Sequence, residues 1–92
     1  MKYLKIYKRI LAKCGYETQA LMCIEEMSEL TKALCKLKRY GEEKQRLDVI
    51  EEIADVLNMA EQLKVHFGVA EVEKVRKQKI DRFLKILGQS NG

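Results

Sequence analysis

Four of the five glycines in this 92-residue chain stand at positions 15, 41, 68 and 88, and proline occurs nowhere. Each of those glycines ends a run in which apolar residues recur at helical spacing, and glycine is the residue best suited to the left-handed turn that closes a helix. No stretch keeps the period-two alternation of a strand. The expected architecture is all-α: an antiparallel bundle of about four helices with short loops, in a single domain over 1–92. The helices are expected over Lys2 to Lys13, Glu17 to Tyr40, Glu43 or Leu47 to Phe67, and Ala70 to Leu87. The first should present Tyr3, Ile6, Tyr7, Ile10 and Leu11 on one face, and the tail Gln89-Ser90-Asn91-Gly92 should fray.

Size bears on assembly. A chain this short buries only about 60–65% of its unfolded surface, so a lone protomer would be marginally stable. Self-association is expected, as a homodimer first and a homotetramer second. Cys35 and Leu37 widen the apolar arc of the second helix beyond a narrow core stripe, which suits a subunit interface. Apolar residues make up 47% of the chain, too many for a disordered one. No run of about 18 uncharged apolar residues offers a membrane span, and Met1-Lys2-Tyr3-Leu4-Lys5 has none of the apolar core of a signal peptide. Cys14, Cys23 and Cys35 are odd in number and form no C-x-x-C. That argues against a disulfide framework or a zinc site and for reduced, mostly buried thiols in a cytoplasmic protein.

One short pattern occurs twice. Ile24-Glu25-Glu26-Met27-Ser28-Glu29-Leu30 and Ile50-Glu51-Glu52-Ile53-Ala54-Asp55-Val56 lie 26 positions apart, one on each long helix. With Met27 as the centre of the second helix's apolar face, Glu26 and Glu29 fall about 100° and 160° to one side. With Ile53 as centre of the third, Glu52 and Asp55 fall at the same offsets. Each pair is i, i+3, on stripes reading Met22, Glu26, Glu29, Ala33 and Asp48, Glu52, Asp55, Met59. Glu25 and Glu51 point away, toward solvent. If the two helices pack side by side, four carboxylates face a shared, half-apolar cleft.

Like charges so gathered raise one another's pKa values, and a hard divalent cation with oxygen ligands removes the repulsion. Mg2+ suits such a set because it keeps waters and shares itself with substrate phosphates; Mn2+ is its natural substitute. A di-iron bundle needs Glu-x-x-His on two helices, and the only histidine, His66, lies 14 positions after Glu52. It sits near a helix C-terminus, where the macrodipole accounts for it.

Glu26-x-x-Glu29 followed by Glu52-x-x-Asp55, within the words Ile24 to Leu34 and Glu51 to Leu57, resembles the all-α nucleoside triphosphate pyrophosphohydrolase superfamily. The likeness is to its short MazG-like single-domain members of phages and bacteria, and it covers roughly Gln19 to Leu87. The resemblance implies Mg2+-dependent hydrolysis of a nucleoside triphosphate to the monophosphate and pyrophosphate. Glu26, Glu29, Glu52 and Asp55 would be the metal ligands, and Glu26 would also be the base for the attacking water. It further implies basic side chains of the last helix near the phosphates. Of Lys74, Arg76, Lys77, Lys79, Arg82 and Lys85, the pair Lys79 and Arg82 best matches that spacing. Asn58, one turn beyond Asp55, could read a base or ribose edge, though a plain polar surface position suits it better. The chain departs from several relatives in having no tryptophan to stack a base; Tyr16, Tyr40, Phe67 or Phe83 could replace it, though such residues more often belong to a core. The Tyr-His of phosphoribosyl-ATP pyrophosphohydrolases is missing after the second acid pair, and the chain is short for the full pocket of dimeric dUTP hydrolases.

Two other classes compete. The net charge of +4 and pI near 9.0 fit a basic helical protein that binds nucleic acid. Its basic residues, however, are dispersed among acids, and no recognition-helix signature is present. A catalytically silent bundle that holds a metal or nucleotide shares every feature of the hydrolase except turnover.

Overall fold

A computed structural model describes residues 1–88; the tail from Gln89 lies outside them. Four helices account for almost all of the described chain: α1 (Leu4–Cys14), α2 (Tyr16–Tyr40), α3 (Glu42–Phe67) and α4 (Val69–Ile86). No strand occurs among the described residues. Single glycines join the helices, more tightly than the sequence pattern implies. Each glycine N–H closes the helix behind it and each glycine C=O opens the one ahead. Gly41 N–H donates to Leu37 O (2.8 Å) and Gln45 N–H to Gly41 O (3.2 Å). Gly41 has φ of +89°, a conformation that a Cβ disfavours, so the α2–α3 reversal needs glycine. Because that carbonyl serves at once as a helical acceptor, α2, α3 and α4 begin one residue or more before the positions expected from periodicity. The first helix starts later, at Leu4.

The centre of the molecule is the antiparallel hairpin of α2 and α3. Its seam buries Gln19, Cys23 and Ala33 against Gln45, Met59 and Gln62. Half-buried Glu26, Leu30 and Leu37 on α2, with Val49, Glu52 and Val56 on α3, fill the turns between. These positions recur at intervals of three and four, the spacing of an interdigitating helix pair. Gln19 Nε2 donates to Gln62 Oε1 at 2.8 Å inside the seam. α1 lies against α3 and α2; its Tyr7 is buried, and the hydroxyl donates to Asn58 Oδ1 at 2.9 Å.

The residues that hydropathy marks as centres of the apolar faces are not in this seam. Met27 is 46% and Ile53 43% exposed, and Ile24, Leu34, Ile50 and Leu57 are exposed as well. The small side chains of Cys23 and Ala33 let the helix axes approach along a line about 80° from Met27, which leaves the larger apolar flank open. Leu37 turns toward the seam, half-buried, rather than widening that flank. The cysteines divide differently from expectation: Cys23 is buried, but Cys14 and Cys35 are exposed because they lie off the seam. Tyr16, Tyr40, Phe67 and Phe83 are all exposed too.

α4 rests against α3 and against neither α1 nor α2, and none of its residues is buried. Glu73 ties it to α3 by accepting from Lys64, and Arg76 of the same helix also donates to Glu73. The result is a slab of 43 × 42 × 21 Å with a radius of gyration of 16.3 Å, against about 12 Å for a compact chain of this length. No helix among the described residues is long and apolar enough to cross a membrane.

Candidate metal centre

The α2–α3 register brings Glu26 of one helix to Glu52 and Asp55 of the other. Each offers a carboxylate oxygen, and these oxygens all lie within 4.8 Å of one another. Glu52 and Asp55 share one stripe of α3 because three residues make most of a helical turn. Glu26 and Glu52 occupy seam positions and are half-buried, whereas Asp55 is exposed at the cluster's open side. Glu29 is exposed and stands outside this close group, near enough for its charge to act on Glu52. Glu25 and Glu51 are exposed, as their position on the wheel requires.

Burial pushes the Glu26 carboxyl above the ordinary carboxylate range; the charge of Asp55, a hydrogen bond with Asp55, and the charges of Glu52 and Glu25 add to it. Glu52 is raised by burial first, then by Asp55, Glu29, Glu51 and Asp48. Every charge acting on these two groups is negative. In addition, Glu52 Oε2 is shut off from solvent and has no hydrogen-bond partner. Buried polar atoms in folded proteins almost always have one, so this oxygen, like Gln45 Oε1, is open to a hydrogen-bond donor or a cation. Three clustered carboxylates with one side open fit a hard cation that keeps some of its waters, Mg2+ or Mn2+.

Next to the acids lies a cleft between α1 and α3, about 340 Å³ in volume, lined by Tyr3, Ile6, Tyr7, Ile10, Asn58 and Gln62. Asn58 is on its wall, held by Tyr7. The Tyr7 hydroxyl is raised by burial, with the charge of Glu61 next in effect. Sequence reasoning missed Tyr7, Gln62 and Gln19 as parts of this region. Their partners are 51 and 43 positions away along the chain, and no local pattern announces such pairs.

Lys79 and Arg82 are exposed on α4, and neither forms an ion pair among the described residues. Lys79 lines an open apolar groove with Phe67, Val72 and Val75. Since α4 does not touch α2, the structure does not bring this pair onto the acids of that helix. Among the aromatic residues offered as replacements for tryptophan, Tyr16 stacks on His66 with centroids 4.0 Å apart, and Phe67 meets both edge-on.

Comparison with protein-family models, with curated proteins and with solved structures finds no match to this chain. Its functional reading therefore rests on the residues of the site.

Proposed function

We propose that the protein is a Mg2+-dependent nucleoside triphosphate pyrophosphohydrolase. The observation that supports this reading most is the close group of Glu26, Glu52 and Asp55 with the orphaned Glu52 Oε2. These three carboxylates would hold the cation, with Glu29 as a further oxygen donor at its edge. When bound, the cation would offset charge on the phosphate oxygens and on the departing pyrophosphate.

The chain's own groups supply the rest. Glu26, beside Asp55 and Glu52 in the cluster, takes the proton of the attacking water. The water oxygen bonds to the α-phosphorus, the bond to the α–β bridging oxygen breaks, and pyrophosphate leaves with that electron pair. Lys79 and Arg82 would clamp the triphosphate tail; this requires α4 to move over the hairpin or to come from a second copy. The open flank of Ile24, Met27, Leu34, Ile50, Ile53 and Leu57 supports a homodimer, since an apolar patch of this kind calls for a partner.

The test is incubation with a panel of ribo- and deoxyribonucleoside triphosphates and Mg2+. Pyrophosphate should appear and orthophosphate should not. Glu52→Gln with Asp55→Asn should lower the rate at least ~100-fold. Undiminished turnover in that double variant sinks the reading. A clean monomer by light scattering across concentrations would remove the dimer from it.

A further inference from the structure

We infer that the cleft between α1 and α3 seats a pyrimidine base, recognised by the side-chain amide donors of Asn58 and Gln62. This rests on the hydrolase reading only for the position of the phosphates. The first support is the state of the two carboxamides. Asn58 Oδ1 accepts from the Tyr7 hydroxyl at 2.9 Å, and Gln62 Oε1 accepts from Gln19 Nε2 at 2.8 Å. Both oxygens are thus engaged by protein donors. Gln62 Nε2 has only a contact of 3.8 Å to Met59 Sδ, a weak acceptor. Asn58 Nδ2 makes no hydrogen bond to protein among the described residues. What both amides have left for a ligand is N–H.

The second support is the match of edges. Uracil and thymine offer two carbonyl acceptors around one N–H, and cytosine offers its C2 carbonyl beside an unprotonated N3. The pairing edge of guanine carries more donors than acceptors, and that of adenine only one acceptor beside its amino group. A site of donors whose own acceptors are occupied discriminates by leaving the wrong edge unpaired. Tyr3, Ile6 and Ile10 give the apolar surface against which a flat ring rests.

The third support is position. A helix turns about 100° and rises about 1.5 Å per residue, so Asn58 and Gln62 stand within about 60° of Asp55 and roughly 4.5 and 10 Å beyond it. Phosphates at the acids would leave a sugar's length before the base meets the amides.

The experiment uses the full-length 15N-labelled protein with Mg2+, titrated with cytidine, uridine, adenosine and guanosine monophosphates. The side-chain NH2 resonances of Asn58 and Gln62 should move with one or both pyrimidine nucleotides, which should bind at least ~10-fold tighter than either purine. The two pyrimidine arms tell cytosine from uracil. Asn58→Asp, which exchanges an N–H donor for an acceptor, should erase that preference, and Tyr7→Phe, which frees the Asn58 oxygen, should reduce it. Equal binding of purines overturns the inference, as does a preference unaltered by Asn58→Asp in a chain that keeps its helical circular dichroism. So do nucleotides that shift only resonances of the acidic cluster. Pyrophosphate release without base preference would sink the base site and leave the hydrolase standing. Selective binding of pyrimidine nucleotides without turnover of their triphosphates would do the reverse.

Discussion

Magnesium should stabilise the folded chain, and the gain should grow with pH. Without a cation, Glu26 and Glu52 hold their protons more tightly in the folded state than in the unfolded one, where a glutamate titrates near 4.3, by about the value for a free side chain. The folded state therefore binds more protons above that pH. The stabilising effect of these two groups is fully present below about 4.3 and is lost as pH rises through their raised folded values. As pH rises through those raised values the two groups gain charge among their acidic neighbours, and a cation has more repulsion to relieve. A cation at ten times its dissociation constant adds about 1.4 kcal/mol to stability. For 92 residues, an unfolding entropy of about 2.1 cal/mol/K per residue turns this into a rise in Tm of about 7 °C.

The assay is thermal unfolding by far-UV circular dichroism at fixed protein concentration, with and without Mg2+, from about pH 4 to pH 8. Glu52→Gln should melt higher than the parent at neutral pH without metal, because one like charge is gone. It should also lose most of the Mg2+ gain. An equal gain in Glu52→Gln, or a gain that does not change with pH, would refute the reasoning that these carboxylates form one cation site.

Other consequences follow from packing. Gln19 and Gln62 are only 7% and 4% exposed, so Gln62→Leu should cost about 1–3 kcal/mol by orphaning Gln19 Nε2, and Gln19→Leu in the same chain should recover much of it; denaturant unfolding of the two single variants and the double one measures this. Gly41→Ala meets no steric neighbour, yet its positive φ should cost about 1–2 kcal/mol, read in the same way. Glu73 is held below the ordinary carboxylate range, chiefly by its hydrogen bond with Lys64. What it contributes is present above the usual carboxylate pKa and lost on acidification through the lowered one, so Glu73→Gln should speed hydrogen exchange in α4 at neutral pH and change it little in acid.

The helices were legible because their signals are local: periodicity ahead of each glycine, and no proline to interrupt it. The acid pairs were legible for the same reason, since i, i+3 spacing needs only one helix. Their meeting across the hairpin follows from the turn. Glu26 lies fifteen residues before Gly41 and Asp55 fourteen after it, just as Gln19 lies twenty-two before and Gln62 twenty-one after. Two helices folded back about one glycine must bring such positions side by side. The side of each helix that faces its neighbour was legible only in part: Cys23, Leu30, Val49 and Val56 lie within the expected apolar faces and in the seam, but the centre of contact is turned away from Met27 and Ile53. Hydropathy favours the large residues around Met27 and Ile53, but close approach of two axes favours small ones, and Cys23 and Ala33 win.

That rotation changes what the acids are. On a flank beside an apolar core, Glu26 and Glu52 would be wet and unremarkable. On the seam they are half-buried, among like charges, with one oxygen unpaired. The hairpin thus places its repulsion where its packing should be tightest. A cation that joins Glu26 to Glu52 and Asp55 ties α2 to α3 by the same contacts that would hold a phosphate. Binding at this centre and cohesion of the hairpin are then linked, and in a variant that weakens the seam two turns from the acids, such as Gln62→Leu, added Mg2+ should recover part of the Tm that the substitution costs.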